Sequence, residues 1–163
     1  MKTASLSIVI PTWNEHDNIR TLLQEIVMAV KELGIIYEII FVDDNSTDGT
    51  IEEIEKHTTD LPIEILVKVG KKGKATSIIQ GVKSARYPTI ATIDADLQYS
   101  PLYIPAMVER LDAVADLIVA KRHRRDHGYG LKVFRKEIMD RFSLHPKIWA
   151  LDAELVKKST DAG

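Results

Sequence analysis

The stretch Leu6-Ser7-Ile8-Val9-Ile10-Pro11-Thr12-Trp13-Asn14-Glu15 decides how the rest of the chain is read. Its first half, dominated by branched aliphatic side chains, suits a short strand that Pro11 closes. Its second half turns abruptly polar. From about Asp17 to Leu33, the residues Ile19, Leu22, Leu23, Ile26, Val27 and Val30 then recur at the i, i+3, i+4 spacing of a helix buried on one face. The same unit repeats downstream. Residues 37–42 and 63–69 read as strands, each followed by a helix, over 50–57 and 76–85. Residues 89–93 form a fourth strand. Ser100 is placed to cap a helix with Pro101 at its first position, running to about Leu111. Residues 117–120 make a fifth strand. The last third is less regular: His123 to His127 is a charged loop, 129–134 a strand, and 136–142 and 153–160 helices. Strand–helix alternation with short links predicts an α/β fold of three layers around a mainly parallel sheet.

Composition narrows the function. The chain has 163 residues, 45% apolar and 28% charged, which suits a single domain with its own core across 1–163. A net charge of −2 gives no electrostatic footprint for nucleic acid. Cysteine is absent, so disulfides and Cys-type zinc sites are excluded. No apolar run approaches the roughly 20 residues needed to span a bilayer, and the start does not read as a signal peptide. The expectation is a soluble, cytoplasmic domain without a C-terminal transmembrane segment.

In open parallel sheets ligands bind outside the carboxyl ends of the strands, and the polar clusters fall there. After the first strand, Pro11-Thr12-Trp13-Asn14-Glu15 lacks the glycine fingerprint of a dinucleotide fold and offers an aromatic able to stack on a base. A capped turn with a buried Trp13 is the plainer reading. After the second strand comes Asp43-Asp44-Asn45-Ser46-Thr47-Asp48-Gly49-Thr50, with more carboxylates than one helix cap needs. After the fourth comes Asp94-Ala95-Asp96-Leu97-Gln98. Residues i and i+2 of an extended chain face one side, so Asp94 and Asp96 can share a ligand. Hard Mg²⁺ or Mn²⁺ ions bind through one or two such carboxylates plus substrate phosphates. Lys71-Lys72-Gly73-Lys74 precedes the third helix, and Arg122, His123, Arg124 and Arg125 follow the fifth strand. Both are phosphate-binding candidates or solvated basic loops. The five histidines show no metal-ligand spacing and no partnered nucleophile; His16 and His57 read as exposed helix residues.

Taken in order, Ile8 to Glu15, Val42 to Thr50 and Asp94 to Gln98 resemble glycosyltransferase family 2, in its dolichyl-phosphate mannosyltransferase and polyprenyl-phosphate glycosyltransferase branch. Gly73-Lys74-Ala75 with Gly81 is similar to that branch's glycine-containing segment, with Ala75 where glycine is common. Asp126 with Gly130 to Arg135, and Leu151 to Leu155, resemble its later segments.

The resemblance implies a GT-A (Rossmann-like) fold, a nucleotide-diphospho-sugar donor of the GDP-mannose or UDP-glucose type, and Mg²⁺ or Mn²⁺. It implies a nucleotide site of Pro11, Trp13, Glu15, Asp43, Asp44, Lys74 and Asp94, with Trp13 where Tyr is usual. Asp94, Asp96 and Gln98 would serve the metal and diphosphate. Arg122, Arg124 and Arg125 would clamp the diphosphate or an anionic acceptor. Transfer would invert the anomeric carbon. A polyprenyl or dolichyl phosphate acceptor needs no strong base, whereas a saccharide hydroxyl makes Asp152 or Glu154 the base, with Asp96 also catalytic.

The chain departs from the family around 122–135, where Arg125 runs straight into Asp126 and the acceptor region is abbreviated. A small acceptor, or a membrane-embedded partner subunit completing the site at the cytoplasmic face of a membrane, would account for this. A relative that binds nucleotide sugar without transferring it is the alternative. A receiver-type signalling domain is the rival from another class. It explains Asp43-Asp44, Asp94 and Lys121 but not Pro11 to Glu15.

Overall fold

A computed structural model describes residues 3–70, 72–121 and 130–141. The expected alternation is present: β1 (Ser5–Thr12), α1 (His16–Leu33), β2 (Ile36–Asp43), α2 (Thr50–Glu55), β3 (Ile63–Val67), α3 (Lys74–Ser84) and β4 (Thr89–Ile93). A 3-10 turn at Pro101–Tyr103 leads into α4 (Ile104–Val114), followed by β5 (Leu117–Val119), β6 (Leu131–Arg135) and α5 (Glu137–Arg141). The helix expected over 153–160 lies outside the described residues.

The six strands are ordered β3-β2-β1-β4-β6-β5. The first four are parallel, as expected. β6 is the departure: it enters antiparallel between β4 and β5, pairing Ile93 with Leu131 and Val119 with Lys132. Pro11 does not end β1, which continues to Thr12 along β2. The β4 ladder already stops at Val9, so Pro11 stands where one side of the strand is free and a missing N–H is tolerated.

Alternation along β1 explains the layers. Leu6, Ile8 and Ile10 pack with Leu22, Ile26 and Met107 of α1 and α4, on the face also reached by Phe41 and Val133. Val9 points the other way, with Ile40, Val42 and Phe134, onto Ile78 and Val82 of α3 and Ile138 of α5. Each fully buried aliphatic side chain contributes about 1.5–3 kcal/mol. Gly81 sets the height of α3 over the sheet. A Cβ there would lie 2.4 Å from Val9 Cγ1 and 3.0 Å from Val42 Cγ2.

Turn chemistry fixes the ends. Ser100 caps as expected, its hydroxyl accepting from the Leu102 amide at 3.3 Å while donating to Glu25 of α1 at 2.5 Å. At the end opposite the strands' carboxyl termini, the fully buried Glu38 accepts from Ser7 Oγ, the Arg86 amide and the Arg86 guanidinium, all at 2.6 Å.

Candidate active site

The carboxyl ends of β2, β1 and β4 open into one cleft of about 350 Å³. Pro11, Thr12, Trp13 and Glu15 line it from β1, Asp44 from β2, Gly73, Lys74 and Ser77 from the start of α3, and Asp94, Ala95 and Asp96 from β4. The clusters read after three separate strands therefore meet at one place. Trp13 is not the buried residue of a capped turn; its indole is 62% exposed.

The first two clusters are latched together. Asn14 and Asn45 take left-handed φ values of 55° and 63°, a conformation asparagine tolerates better than other non-glycine residues. The Asn14 amide donates to Ser46 Oγ at 2.8 Å, and Asn14 Oδ1 accepts from the Thr47 amide at 2.9 Å. The Glu15 amide donates to Thr50 Oγ1 and the His16 amide to Asp48 Oδ2. Asp48 also accepts from the Thr50 amide, so it serves the first turns of both α1 and α2. The carboxylates of this loop thus divide their work. Asp48 caps. Asp43 is fully buried and accepts from Thr12 Oγ1 at 3.0 Å, Ser46 Oγ at 2.6 Å and the Ser46 amide at 2.8 Å. It stands beneath the loop and is not among the residues lining the cleft. Asp44, one residue on, faces the cleft.

Asp44 is held from two sides. Its Oδ2 accepts from the Gly73 amide at 2.7 Å, and its Oδ1 pairs with Lys68 Nζ at 3.0 Å. Lys68 is only 4% exposed and also donates to the Gly73 carbonyl at 3.1 Å and Thr76 Oγ1 at 2.8 Å. Neither Lys68 nor Ser77 was singled out from the sequence. Lys68 sits between Val67 and Val69, and alternation makes such a lysine look solvent-facing. Here the valines are exposed and the lysine is buried.

At β4 the Asp94 amide donates to the Gly130 carbonyl at 3.0 Å, and Asp94 Oδ2 pairs with Lys74 Nζ at 2.7 Å. Burial pushes the Asp94 carboxyl above its usual range and Asp96 adds to this, while Lys74 and Lys132 pull the other way. Glu15 is also raised, by burial first and then by the negative charges of Asp96, Asp48 and Asp94, against a bond from Asn18. Asp96 is exposed, and its Oδ1 accepts from the Gln98 amide at 3.0 Å. Gln98 itself is exposed and does not line the cleft. Gly130 is needed for close approach, because a Cβ there would lie 2.6 Å from the Tyr99 ring and 2.9 Å from Asp94 Oδ2. Arg122, Arg124, Arg125, Asp152 and Glu154 lie outside the described residues.

His16 opens α1 with 41% of its side chain exposed, as expected, whereas His57 departs from the exposed-helix reading. His16 bonds to Asp17 at 2.9 Å, and His57, beyond the end of α2, is half-buried with Nε2 3.7 Å from Glu53.

Among the described residues no three His, Asp or Glu side chains form a ready metal cage. Asp94 and Asp96 nevertheless suit a hard divalent cation. They are oxygen donors in one cleft, with a third carboxylate nearby that feels their charge, and a lysine ammonium already stands against Asp94. Two carboxylates with phosphate oxygens completing the shell is how Mg²⁺-type ions usually bind.

The glycosyl transferase family 2 sequence model matches residues 7–158. A dolichol-phosphate mannosyltransferase of Pyrococcus furiosus is 33% identical over 118 residues, covering 72% of this chain and 33% of that protein. A dodecaprenyl-phosphate galacturonate synthase of Rhizobium johnstonii is 33% identical over 135 residues, covering 81% of this chain and 40% of that protein. The chain thus spans a third to two-fifths of the length of these curated relatives. Among solved structures, a mannosyltransferase from Pyrobaculum calidifontis in complex with GDP-Man and Mn²⁺ matches with a TM-score of 0.76 at 19% identity, covering 98% of this chain and 53% of its own. Glucosyl-3-phosphoglycerate synthase from Mycobacterium tuberculosis, solved with Mn²⁺, UDP and glucosyl-3-phosphoglycerate, matches with a TM-score of 0.78 at 17% identity, covering 98% and 66%. The six-stranded sheet is therefore that of a GT-A fold. With the sequence model running across most of its length and relatives at one-third identity, the chain belongs to glycosyl transferase family 2.

Proposed function

We propose that the chain forms the donor-binding and catalytic domain of an inverting glycosyltransferase, moving a sugar from a nucleotide-diphospho-sugar to a polyprenyl or dolichyl phosphate. One observation carries this reading. Asp44, Trp13 and the Asp94–Asp96 pair end three neighbouring strands of one cleft, and Gly73-Lys74 runs between the outer two. The outer strands stand two sheet spacings apart, about 10 Å, a span suited to a nucleoside at one side and its diphosphate at the other.

In this reading Trp13 stacks on the base, while Asp44 and Glu15 accept from base or ribose donors beside Pro11. Asp43 contributes from below, by holding the loop that presents Asp44. Lys74 and the first amides of α3 meet the diphosphate. Asp94 and Asp96 would hold Mg²⁺ or Mn²⁺, whose charge, when bound, stabilises the departing nucleoside diphosphate. A lipid-phosphate oxyanion is already nucleophilic, so this acceptor asks no proton transfer of the protein. The names of the two curated relatives, a dolichol-phosphate and a dodecaprenyl-phosphate enzyme, support such an acceptor. It would place the reaction at a membrane surface, although no described helix is long and apolar enough to cross one.

Calorimetric titration with UDP, GDP, UDP-glucose and GDP-mannose, each with Mn²⁺ and with chelator, tests the reading. We expect one nucleotide to bind tightly only with Mn²⁺, and Asp96→Ala to remove that dependence without lowering Tm. Absence of binding to all four, or an unchanged metal dependence in Asp96→Ala, refutes it.

A further inference from the structure

The cleft already contains a cation of its own. Asp94 has a side chain only 25% exposed, and its Oδ2 is 2.7 Å from the Lys74 ammonium. A carboxylate taken this far out of water needs a counter-charge, and Lys74 provides one. A divalent ion makes a conflicting demand. It needs an unobstructed carboxylate oxygen about 2.1 Å away, and an ammonium at hydrogen-bond distance from the same oxygen both blocks it and repels the newcomer. Lys74 can leave, however. Its side chain is 42% exposed, on a four-carbon stem rooted in the first residue of the eleven-residue helix α3, behind Gly73.

We propose that Lys74 is an exchangeable counter-ion. It neutralises Asp94 in the nucleotide-free protein, moves to the donor diphosphate when nucleotide enters, and so frees Asp94 for the divalent cation. The inference rests on the donor reading above and adds an order to it. Metal alone must first displace Lys74 from Asp94. Nucleotide alone draws Lys74 away and leaves Asp94 without that counter-charge. Together they exchange partners, and each cation keeps an anion. Nucleoside diphosphate and metal therefore bind with positive coupling, and by linkage each raises the affinity of the other by the same factor. Lys74→Met should separate the two effects. It weakens the diphosphate contact but strengthens metal binding to the nucleotide-free protein, an opposite sign that a merely supportive lysine would not produce. Lys74→Arg keeps the charge and should keep the block.

The test is Mn²⁺ binding followed by electron paramagnetic resonance, on the whole chain, without nucleotide and with saturating GDP or UDP. In the natural sequence we expect the better nucleotide to tighten Mn²⁺ binding by about 10- to 100-fold, within the usual range of such couplings. Lys74→Met should bind Mn²⁺ without nucleotide about tenfold more tightly than the natural sequence, its coupling shrinking by the same factor. Lys74→Arg should resemble the natural protein. Nucleotide-free Mn²⁺ affinity that is unchanged or lower in Lys74→Met overturns the exchange while leaving the donor site standing. Failure of the natural protein to bind Mn²⁺ with either nucleotide overturns both the donor reading and the exchange. Thermal unfolding of each variant confirms that a folded protein is being compared.

Discussion

Replacing Lys68 by Met puts the largest single demand on the cleft. The Lys68 side chain is 4% exposed; its ammonium donates to the Gly73 carbonyl at 3.1 Å and Thr76 Oγ1 at 2.8 Å, and it forms an ion pair with Asp44 Oδ1 at 3.0 Å. Methionine matches much of its length and none of its charge, so packing is largely kept and the ion pair is lost. Asp44 is left with the Gly73 amide as its one remaining bond of those described. Removing one partner of a buried pair costs about 3–5 kcal/mol. Asp44 opens onto the cleft, with 13% of its side chain exposed, so water offsets part of the loss and about 3 kcal/mol is the expected figure. For a domain of this size that lowers Tm by roughly 6–12 °C. The assay is urea unfolding of a double-mutant cycle with Asp44→Asn. Once Asp44→Asn has removed the carboxylate no charge is stranded, and adding Lys68→Met should cost only about 1 kcal/mol. Donor nucleotide affinity should fall in Lys68→Met along with stability, since Asp44 loses the anchor that aims it. A loss below about 1 kcal/mol with full nucleotide affinity, or equal losses in both backgrounds, refutes the argument.

Three further outcomes follow from packing and charge. Gly81→Ala forces a methyl 2.4 Å from Val9 Cγ1, so α3 must lift from the sheet; we expect a loss of about 1–3 kcal/mol in denaturant unfolding. Gly130→Ala drives a methyl against Tyr99 and Asp94 Oδ2; Mn²⁺ affinity measured with nucleotide should fall at least as clearly as Tm. Glu38 is lowered despite its burial, because bonds from Ser7 and Arg86 and the Arg86 charge outweigh desolvation. Its stabilisation is therefore complete above the ordinary glutamate value of 4.5 and is lost as pH falls through its lower folded value. Glu38→Gln should be less stable than the natural protein at neutral pH, with the gap closing in acid; a gap that persists at about pH 2 contradicts this.

Much of the cleft was legible because one topological rule locates ligands at strand ends, and Trp13, Glu15, Asp44, Lys74, Asp94 and Asp96 could be placed by it. Within a cluster the rule has no resolution. Asp43 and Asp44 are neighbours, and successive residues leaving a strand point to opposite sides, so only the register decided that Asp44 faces the cleft and Asp43 the loop. Gln98, which the resemblance alone pointed to, lies beyond Leu97, whose φ of 58° ends the extended geometry shared by 94 and 96, and it does not line the cleft. Lys68 was hidden by alternation running in reverse. Val67 and Val69 are 46% and 100% exposed while the charge goes inward, because its ion pair and two hydrogen bonds outweigh the apolar area left outside.

β6 was the element whose place local pattern could not supply. As five residues of alternating size it reads as a strand, but nothing local says that it inserts against the direction of its neighbours. The insertion has a consequence at the cleft. Because β6 runs antiparallel, its first residues stand beside the last residues of β4: Leu131 pairs with Ile93, and the Gly130 carbonyl accepts from the Asp94 amide. Lys132 is thereby buried, at 3% exposure, with its charge acting on Asp94. β5 ends on the same side, where the Ala120 amide donates to the Leu131 carbonyl at 3.0 Å. β5 therefore ends, and β6 begins, on the side of the sheet where the Asp94 carboxylate stands. A parallel β6 would have begun at the far edge and left Asp94 without Gly130 as a backbone partner. The reversed direction of β6 is what brings Gly130 and Lys132 to the cleft beside Asp94.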